Sequence, residues 1–384
     1  MKKRLIYIFI ILFIFFPSLN VNAESLTSKM IQEEKEKFEI NDFVNEAEKY
    51  TNDFLEDTSI SDMITSAING KIDNNQMLKK LLKIFGKEIV SSLKTIIAVL
   101  AIVLIHSLIK SISDNLETTD IAKIIYFVQY ILIVSVVMNN FSNLIFSITN
   151  TIQNLVGFMN SLVPLLITLM IYTGNIVTSS LLEPIILFII EFIANILVNL
   201  VLPCITLITA VMVISNISDK IQIGKLAKFL RSSIIWFLGI VLTIFVGVVS
   251  LEGTLSSSID GITAKTAKVA VSSMIPVVGK ILGDSVDSVL GCGLVLKNAL
   301  GVVGVIIILG ICVTPIIKLS ILSIMYSLSS AIIEPLADEK IVKLLQEFSD
   351  IFKLLLGILC SVSILLIIGI TLVIKISNSG MMYR

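Results

Sequence analysis

The chain has 384 residues and a composition typical of a protein embedded in a membrane. Hydrophobic residues make up 55% and charged residues 15% of it, and the mean hydropathy is +0.98, whereas soluble domains carry about 25% charged residues. Basic and acidic residues each number 29, so the net charge is zero and we expect no nucleic-acid binding.

The N-terminus has the three parts of a secretory signal peptide. Residues 1–4 are basic, residues 5–16 form a twelve-residue apolar run, and Val21-Asn22-Ala23 is a cleavage motif. A run of this length is too short to cross a bilayer, which takes about 20 residues. We therefore predict a cleaved signal peptide over residues 1–23, rather than an uncleaved anchor. Cleavage would leave residue 24 outside the cytoplasm.

The region 24–87 differs in charge from the rest of the chain. It holds eight Glu and five Asp against nine Lys, a net charge of −4. Its apolar residues recur at helical spacing, which predicts an acidic extracytoplasmic region of short amphipathic helices with little core. The basic stretch 77–87 at its end predicts a helix that lies on the lipid surface. A docking site for a partner is the alternative for this stretch.

Hydropathy predicts an all-α membrane bundle of seven to nine spans, some broken by proline, in two halves over residues 88–251 and 299–384. The apolar stretches are 89–109, 121–148, 155–172, 181–217, 234–249, 299–333 and 352–374. Two of them exceed one crossing at a rise of about 1.5 Å per residue. We expect the stretch 181–217 to fold back near Pro203. For the stretch around Pro315, two crossings and one long kinked helix both remain open.

A polar segment over residues 252–298 separates the two halves. Its part 261–298 contains four lysines, two aspartates and a proline, and no stretch of about 18 apolar residues can be cut from it. Backbone that breaks at membrane depth needs cover from protein or a water-filled cavity. We therefore predict a re-entrant or interfacial element, a broken helical hairpin that lines a polar passage or a partner surface. The candidate residues are Lys265, Lys268, Pro276, Gly279, Lys280, Asp284, Asp287, Lys297 and Asn298.

Charged groups inside the apolar stretches are costly and need a partner or water. The deepest of them is Glu191, for which a place on a polar pathway and a structural role are both open. The only histidine, His106, has no second histidine and no carboxylate at metal-ligand spacing. The four cysteines are far apart and form no CxxC pair, which favours packing roles. Because no phosphate-loop, HExxH or GxSxG motif occurs in the sequence, we expect no enzyme activity and no cofactor.

Two proline motifs recur at an offset of 112 residues: Pro164 with Pro276, and Pro203 with Pro315. Paired interrupted segments in two halves of a chain are typical of secondary transporters. Chance matches among common apolar residues are the alternative explanation. A stand-alone secondary transporter is therefore one hypothesis for the function, and a structural scaffold for other membrane proteins is another.

Four motifs stand out in the second half of the chain: Thr263–Ala270, Ile275–Lys280, Asp284–Leu290 and Leu296–Gly304. They resemble the stage III sporulation protein AE family of endospore-forming Firmicutes. The turn Glu334-Pro335-Leu336 and the ending Met381–Arg384 are similar as well. Val269 and Met274 depart from the pattern, which usually has aromatic residues there.

The resemblance implies a role and not a reaction. It implies a polytopic protein of the mother-cell membrane that surrounds the forespore. It further implies membership of a complex of eight proteins, which joins a forespore membrane protein to form a channel between the two cells. Such a channel would serve late forespore gene expression. The implied partners are the other membrane proteins of that complex and the lipid bilayer, and self-association of the chain stays open.

Overall fold

The computed structural model of the protein describes residues 40–51, 59–70, 74–114, 119–217, 224–274 and 278–382. Every regular element in these residues is a helix. The helices are α1 (Ile40–Glu48), α2 (Ile60–Ile68), α3 (Asn74–Asp114), α4 (Thr119–Tyr172), α5 (Ile176–Ile196), α6 (Leu202–Ile217), α7 (Gly224–Met274), α8 (Val278–Ile333) and α9 (Glu339–Met382). A π-helical turn over Leu197–Val201 joins α5 to α6 without a break. Residues 1–39, which include the predicted signal peptide, lie outside the described residues.

Six helical stretches in the described part of the chain are long and apolar enough to cross a membrane. They are Met77–Ile105, Phe127–Tyr172, Ile176–Asn216, Lys225–Asp260, Leu290–Ile333 and Glu339–Asn378. The predicted all-α membrane bundle is thereby confirmed, whereas the count of seven to nine spans is not. The structure has fewer candidate spans than the sequence predicted, mainly because the predicted spans 121–148 and 155–172 are a single helix, α4.

Prolines do not divide these helices. Pro164 lies inside α4 and Pro315 inside α8, and the expected fold-back near Pro203 is wrong, because the helical run continues through it. A proline in a helix removes one N–H group and crowds the carbonyl group four residues earlier. The π-helical turn relieves this crowding just before Pro203, where the N–H of Leu202 bonds to the carbonyl of Leu197.

Helix α8 lies at the centre of the bundle. It packs against α2, α3, α4, α7 and α9, and 61% of its apolar stretch is buried, compared with 17% for α7. The outward face of α7 is apolar, with Trp236 and Leu251 among its most exposed side chains. An apolar outer face of this kind suits contact with lipid tails, and the buried face of α8 supplies the core.

The two short helices pack onto the bundle and share its core. The ring of Phe43 in α1 lies 6.2 Å from the ring of Phe158 in α4, centroid to centroid. Tyr50 lies directly over Gly157, where a Cβ atom would come within 2.4 Å of the tyrosine ring. Helix α2 contacts α8. Helices α1 and α2 thus use amphipathic faces, as their spacing predicts, to cover α4 and α8.

Helices α5 and α6 form one continuous run, and the direction alternates along α4, this run, α7, α8 and α9, so that the helix ends gather at two ends of the bundle. At one end, called the loop end, Tyr130 donates a hydrogen bond to the carbonyl of Val213, and Asn216 donates one to Glu347. The opposite end, called the turn end, contains the tight connection between α4 and α5. There α7, α8 and α9 also come together, through Asp260, Lys297 and Ser377 respectively.

Candidate functional site

The most polar place in the interior is the side chain of Lys297 in α8. Lys297 is fully buried, with 0% of its surface exposed. Its Nζ donates hydrogen bonds to Ser377 Oγ and, at 2.9 Å, to Asn378 Oδ1, both on α9. An ammonium group taken out of water is costly unless its N–H groups are satisfied. The contacts with α9 therefore offset part of the cost of burying Lys297.

Amide side chains reinforce this contact and extend it to a third segment. Asn378 donates to Asn298 Oδ1 at 3.3 Å, and Asn175 donates to Ser377 Oγ at 3.0 Å. Asn175 belongs to the connection between α4 and α5. The serine hydroxyl is thus shared by a side chain of α8 and a side chain of the α4–α5 connection. Such a shared network couples the positions of its members, since moving one leaves the others unsatisfied.

The connection between α4 and α5 is a tight helix-ending turn at Gly174. The N–H of Asn175 bonds to the carbonyl of Met170, and the N–H of Gly174 bonds to the carbonyl of Ile171. This pair of bonds is the Schellman arrangement, which places its pivot residue in the left-handed region. Gly174 has a φ of 85°, which glycine adopts without steric cost. The turn fixes where Asn175 enters the bundle.

Helix α5 is capped by a side chain from α7. Asp260 is buried, and its two carboxylate oxygens accept hydrogen bonds from the N–H groups of Val177 (2.9 Å) and Thr178 (2.8 Å). Asn175 occupies the capping position of α5 but makes no side-chain capping bond. A carboxylate at a helix N-terminus satisfies otherwise unpaired donors and suits the helix dipole. Asp260 therefore attaches α7 to the start of α5.

Two glycines on α8 make room for Lys297. They lie four residues before and four residues after it, on the same face of the helix. A Cβ atom at Gly293 would come within 2.9 Å of the ring of Tyr172, and one at Gly301 would overlap Ile374 of α9. Small residues let helix backbones approach closely in membrane proteins. The ammonium group of Lys297 can therefore reach α9, and α8 can lie against the end of α4.

The arrangement provides a packed polar junction. Its formal charges, on Lys297 and Asp260, do not form a direct ion pair, and each is satisfied by neutral groups. Two small cavities elsewhere in the bundle have apolar linings, and Lys297 borders neither of them. In the part of the chain that the structure describes, no group of three or more His, Cys, Asp or Glu could hold a metal ion.

Two of the predicted site residues, Lys297 and Asn298, belong to this junction. Pro276 lies outside the described residues. The other six predicted residues of the polar segment lie in helical backbone of α7 or α8, but their side chains are outside the described part: Lys265, Lys268, Gly279, Lys280, Asp284 and Asp287. The helices continue without a break to Met274 and again from Val278. Whether these side chains line a passage stays a prediction.

Glu191 does not join the junction. It is exposed on the outer face of α5, where Oε1 accepts a hydrogen bond of 3.0 Å from Asn160 of α4. It is about 16 residues from the turn at Asn175, which corresponds to about 24 Å along a helix. The structure therefore brings together only part of the set predicted from sequence.

Sequence reasoning missed Asn175, Asp260, Ser377 and Asn378. Gly174-Asn175 is a turn signal between two apolar stretches, and it could have placed the asparagine at a helix boundary. Asp260 lies within the polar segment 252–298, directly before the part 261–298 from which the candidate residues come. Ser377 and Asn378 follow the last predicted apolar stretch, 352–374, and are not among the candidates. No local signal indicates that they contact α8, because 80 residues separate Ser377 from Lys297.

Comparisons with known proteins agree with one another. The family model described as stage III sporulation protein AE matches residues 58–377. The protein named stage III sporulation protein AE from Bacillus subtilis (strain 168) is 29% identical over 319 residues, which cover 83% of this chain and 80% of that protein. No solved structure matches the chain.

Replacing either of two lysines at the turn end is expected to lower the free energy of unfolding by different amounts, because only one of them belongs to the junction. Lys297→Ala removes both hydrogen bonds and leaves a void, so we expect the free energy of unfolding in detergent to fall by about 2–4 kcal/mol. Lys297→Met keeps the side-chain volume and removes only the hydrogen-bond donors, so the fall in the free energy of unfolding is expected to be smaller. Lys375→Ala changes an exposed lysine of α9, whose interaction is screened by solvent, and its cost is expected to stay below about 1 kcal/mol. Equal thermal stability of Lys297→Ala and Lys375→Ala would contradict the junction.

Proposed function

The chain belongs to the stage III sporulation protein AE family, and from this premise we propose that it is an integral membrane component of a sporulation channel or secretion complex. This complex would link the mother cell to the forespore and support late forespore development. The observation that carries the proposal is the family match, which reaches from residue 58 to residue 377 and so includes the Lys297 junction. The six apolar helices are consistent with a place in the membrane.

The proposed location is the mother-cell membrane that surrounds the forespore, with the N-terminal region outside the cytoplasm. The partners are the other membrane proteins of the same complex and the bilayer lipids. The proposed contribution of the chain is non-enzymatic. A signal peptide over residues 1–23 is part of the proposal, because it delivers residue 24 to the extracytoplasmic side.

Within such a complex, the described interior favours a scaffold over a conduit through this chain alone. The polar groups of the Lys297 junction bond to one another, and the two cavities near α4 and α9 have apolar linings. A conduit needs polar groups that face water. A passage lined by the segment 261–298 remains the second candidate function, supported by its lysines and aspartates in an otherwise apolar half.

The first test is genetic. Deleting the gene in the spore-forming parent should abolish heat-resistant spores, and restoring the full chain should recover them. A fluorescent fusion should collect in the membrane around the forespore, since that is where the proposed complex acts. Normal spore counts after deletion would overturn the proposed role. A Lys375→Ala chain serves as the matched control for expression.

Signal cleavage is tested by mass spectrometry of the purified protein. We expect the mature chain to begin at Glu24, because the cleavage motif ends at Ala23. An Ala23→Arg chain places a large charged residue in the motif and should retain residues 1–23. A wild-type protein that still begins at Met1 would contradict cleavage and favour an uncleaved anchor.

The passage is tested by labelling cysteines placed one at a time across residues 261–298, after the four native cysteines are replaced. Because the backbone on both sides of residues 275–277 is helical, a water-lined face should react with a membrane-impermeant thiol reagent at every third or fourth position. Uniform labelling would indicate an exposed surface for partners. Ile240→Cys on the apolar outer face of α7 is the unreactive control. The passage hypothesis is lost if Lys280→Ala, Asp284→Ala and Asp287→Ala each leave spore formation intact.

A further inference from the structure

A row of polar side chains lies on the outer surface of the bundle, within an apolar stretch. Glu191, Asn195 and Asn199 are all exposed and follow one another at intervals of four residues along α5 and the π-helical turn. These three residues are called the polar stripe. They lie near the middle of the 41-residue apolar stretch Ile176–Asn216, so apolar sequence flanks them on both sides.

The chain itself satisfies only part of the hydrogen-bonding capacity of the polar stripe. Asn160 donates to Glu191, and Asn199 donates to Asn195 Oδ1. An asparagine amide has two N–H donors and an acceptor oxygen, and a carboxylate has two acceptor oxygens. The amide donors of Asn195 and the acceptor oxygen of Asn199 therefore point to a further partner. Polar groups that face hydrocarbon without a partner are costly.

The surroundings of the polar stripe are suited to close contact. Phe188 and Phe192 stack on each other with ring centroids 5.9 Å apart and an interplanar angle of 18°, and 68% of Phe188 is exposed. At the other end, Pro203 is exposed and has no N–H to offer the carbonyl of Asn199. The stripe is thus bordered by rigid apolar side chains, and a π-helical turn of this kind is often found at functional positions.

We propose that the polar stripe is the contact through which two copies of this chain associate in the membrane. Two copies inserted in the same direction are related by a two-fold axis along the membrane normal, so their α5 helices run parallel and equal residues lie at equal depth. Asn195 of each copy donates to Asn199 of the other, one helical turn away. Glu191 accepts further amide hydrogens, and the exposed ring of Phe188 packs beside the contact.

Self-association is favoured over a different partner because Asn195 and Asn199 complement the same two residues of a second copy. Donor and acceptor are one turn apart on the same face, which is the arrangement that a two-fold contact uses twice. Asparagine side chains hydrogen-bond across helices in membranes and specify pairing in coiled coils. A partner with a buried cation opposite Glu191 is the competing arrangement, and the experiment separates the two.

The experiment uses the full chain in membranes of a host that makes no sporulation proteins. Phe192→Cys, in a chain without native cysteines, leaves the polar stripe intact and places a thiol beside it. Mild oxidation should then give a disulfide-linked dimer. Ile240→Cys, on the exposed apolar face of α7, is the matched control and should give little dimer.

In the Phe192→Cys chain, the change Asn195→Leu with Asn199→Leu should lower the dimer fraction about tenfold, as expected for the loss of two hydrogen bonds between helices. Thr243→Leu, a similar change at an exposed position of α7, should leave the dimer fraction unchanged. Unaltered thermal stability in detergent would show that the double variant is folded.

Three results would overturn the proposal: equal dimer yields from Phe192→Cys and Ile240→Cys, no effect of the double leucine change, or a disulfide that forms in sporulating cells with a different protein. The inference does not rest on the sporulation role, because the host lacks the other proteins of the complex. A variant that forms no spores but still forms the dimer would therefore bear on the sporulation role and not on the proposed dimer.

Discussion

The burial of one ammonium group, that of Lys297, is the constraint on which the turn end of the bundle depends. The group lies on the central helix and is fully buried. Its hydrogen bonds to Ser377 and Asn378 determine how α8 and α9 approach each other. Since water is excluded from this place, leaving either acceptor out of position would cost several kcal/mol. The hydrogen bonds therefore restrict α8 and α9 to one register, whereas apolar packing alone would allow the helices to shift along each other.

The other features of the turn end follow from this constraint. Gly293 and Gly301 lie one turn on either side of Lys297 and let α4 and α9 come close enough to surround it. Asn175 reaches the same serine because the turn at Gly174 directs it inward. Asp260 then serves α5 as the cap that Asn175 does not provide. Four separate segments are joined through a few satisfied polar groups, which fix their positions relative to one another.

The polar groups inside and outside the bundle suggest different roles. Inside, Lys297 and Asp260 bond to groups of the same chain, so they stabilise the protomer. Outside, Asn195 and Asn199 keep unused donors and acceptors in an apolar surface. Unused donors and acceptors on an apolar surface suit association with a neighbouring helix. In the proposed pairing, the surface groups therefore matter more than the Lys297 junction does.

The sequence by itself determined the helical class and the apolar stretches, and it singled out Lys297 and Asn298 as candidates, because composition, hydropathy and a charge in apolar sequence are local properties. It did not determine that α4 is one helix, or that the helical run continues through Pro203, because a proline restricts the backbone without deciding between a π-helical turn and a reversal. Only the tertiary structure decided which residues surround Lys297 and which charged residue, Glu191, faces outward. Those contacts join residues about 80 or more positions apart, and hydrogen bonds between distant segments leave no periodic signal in a sequence.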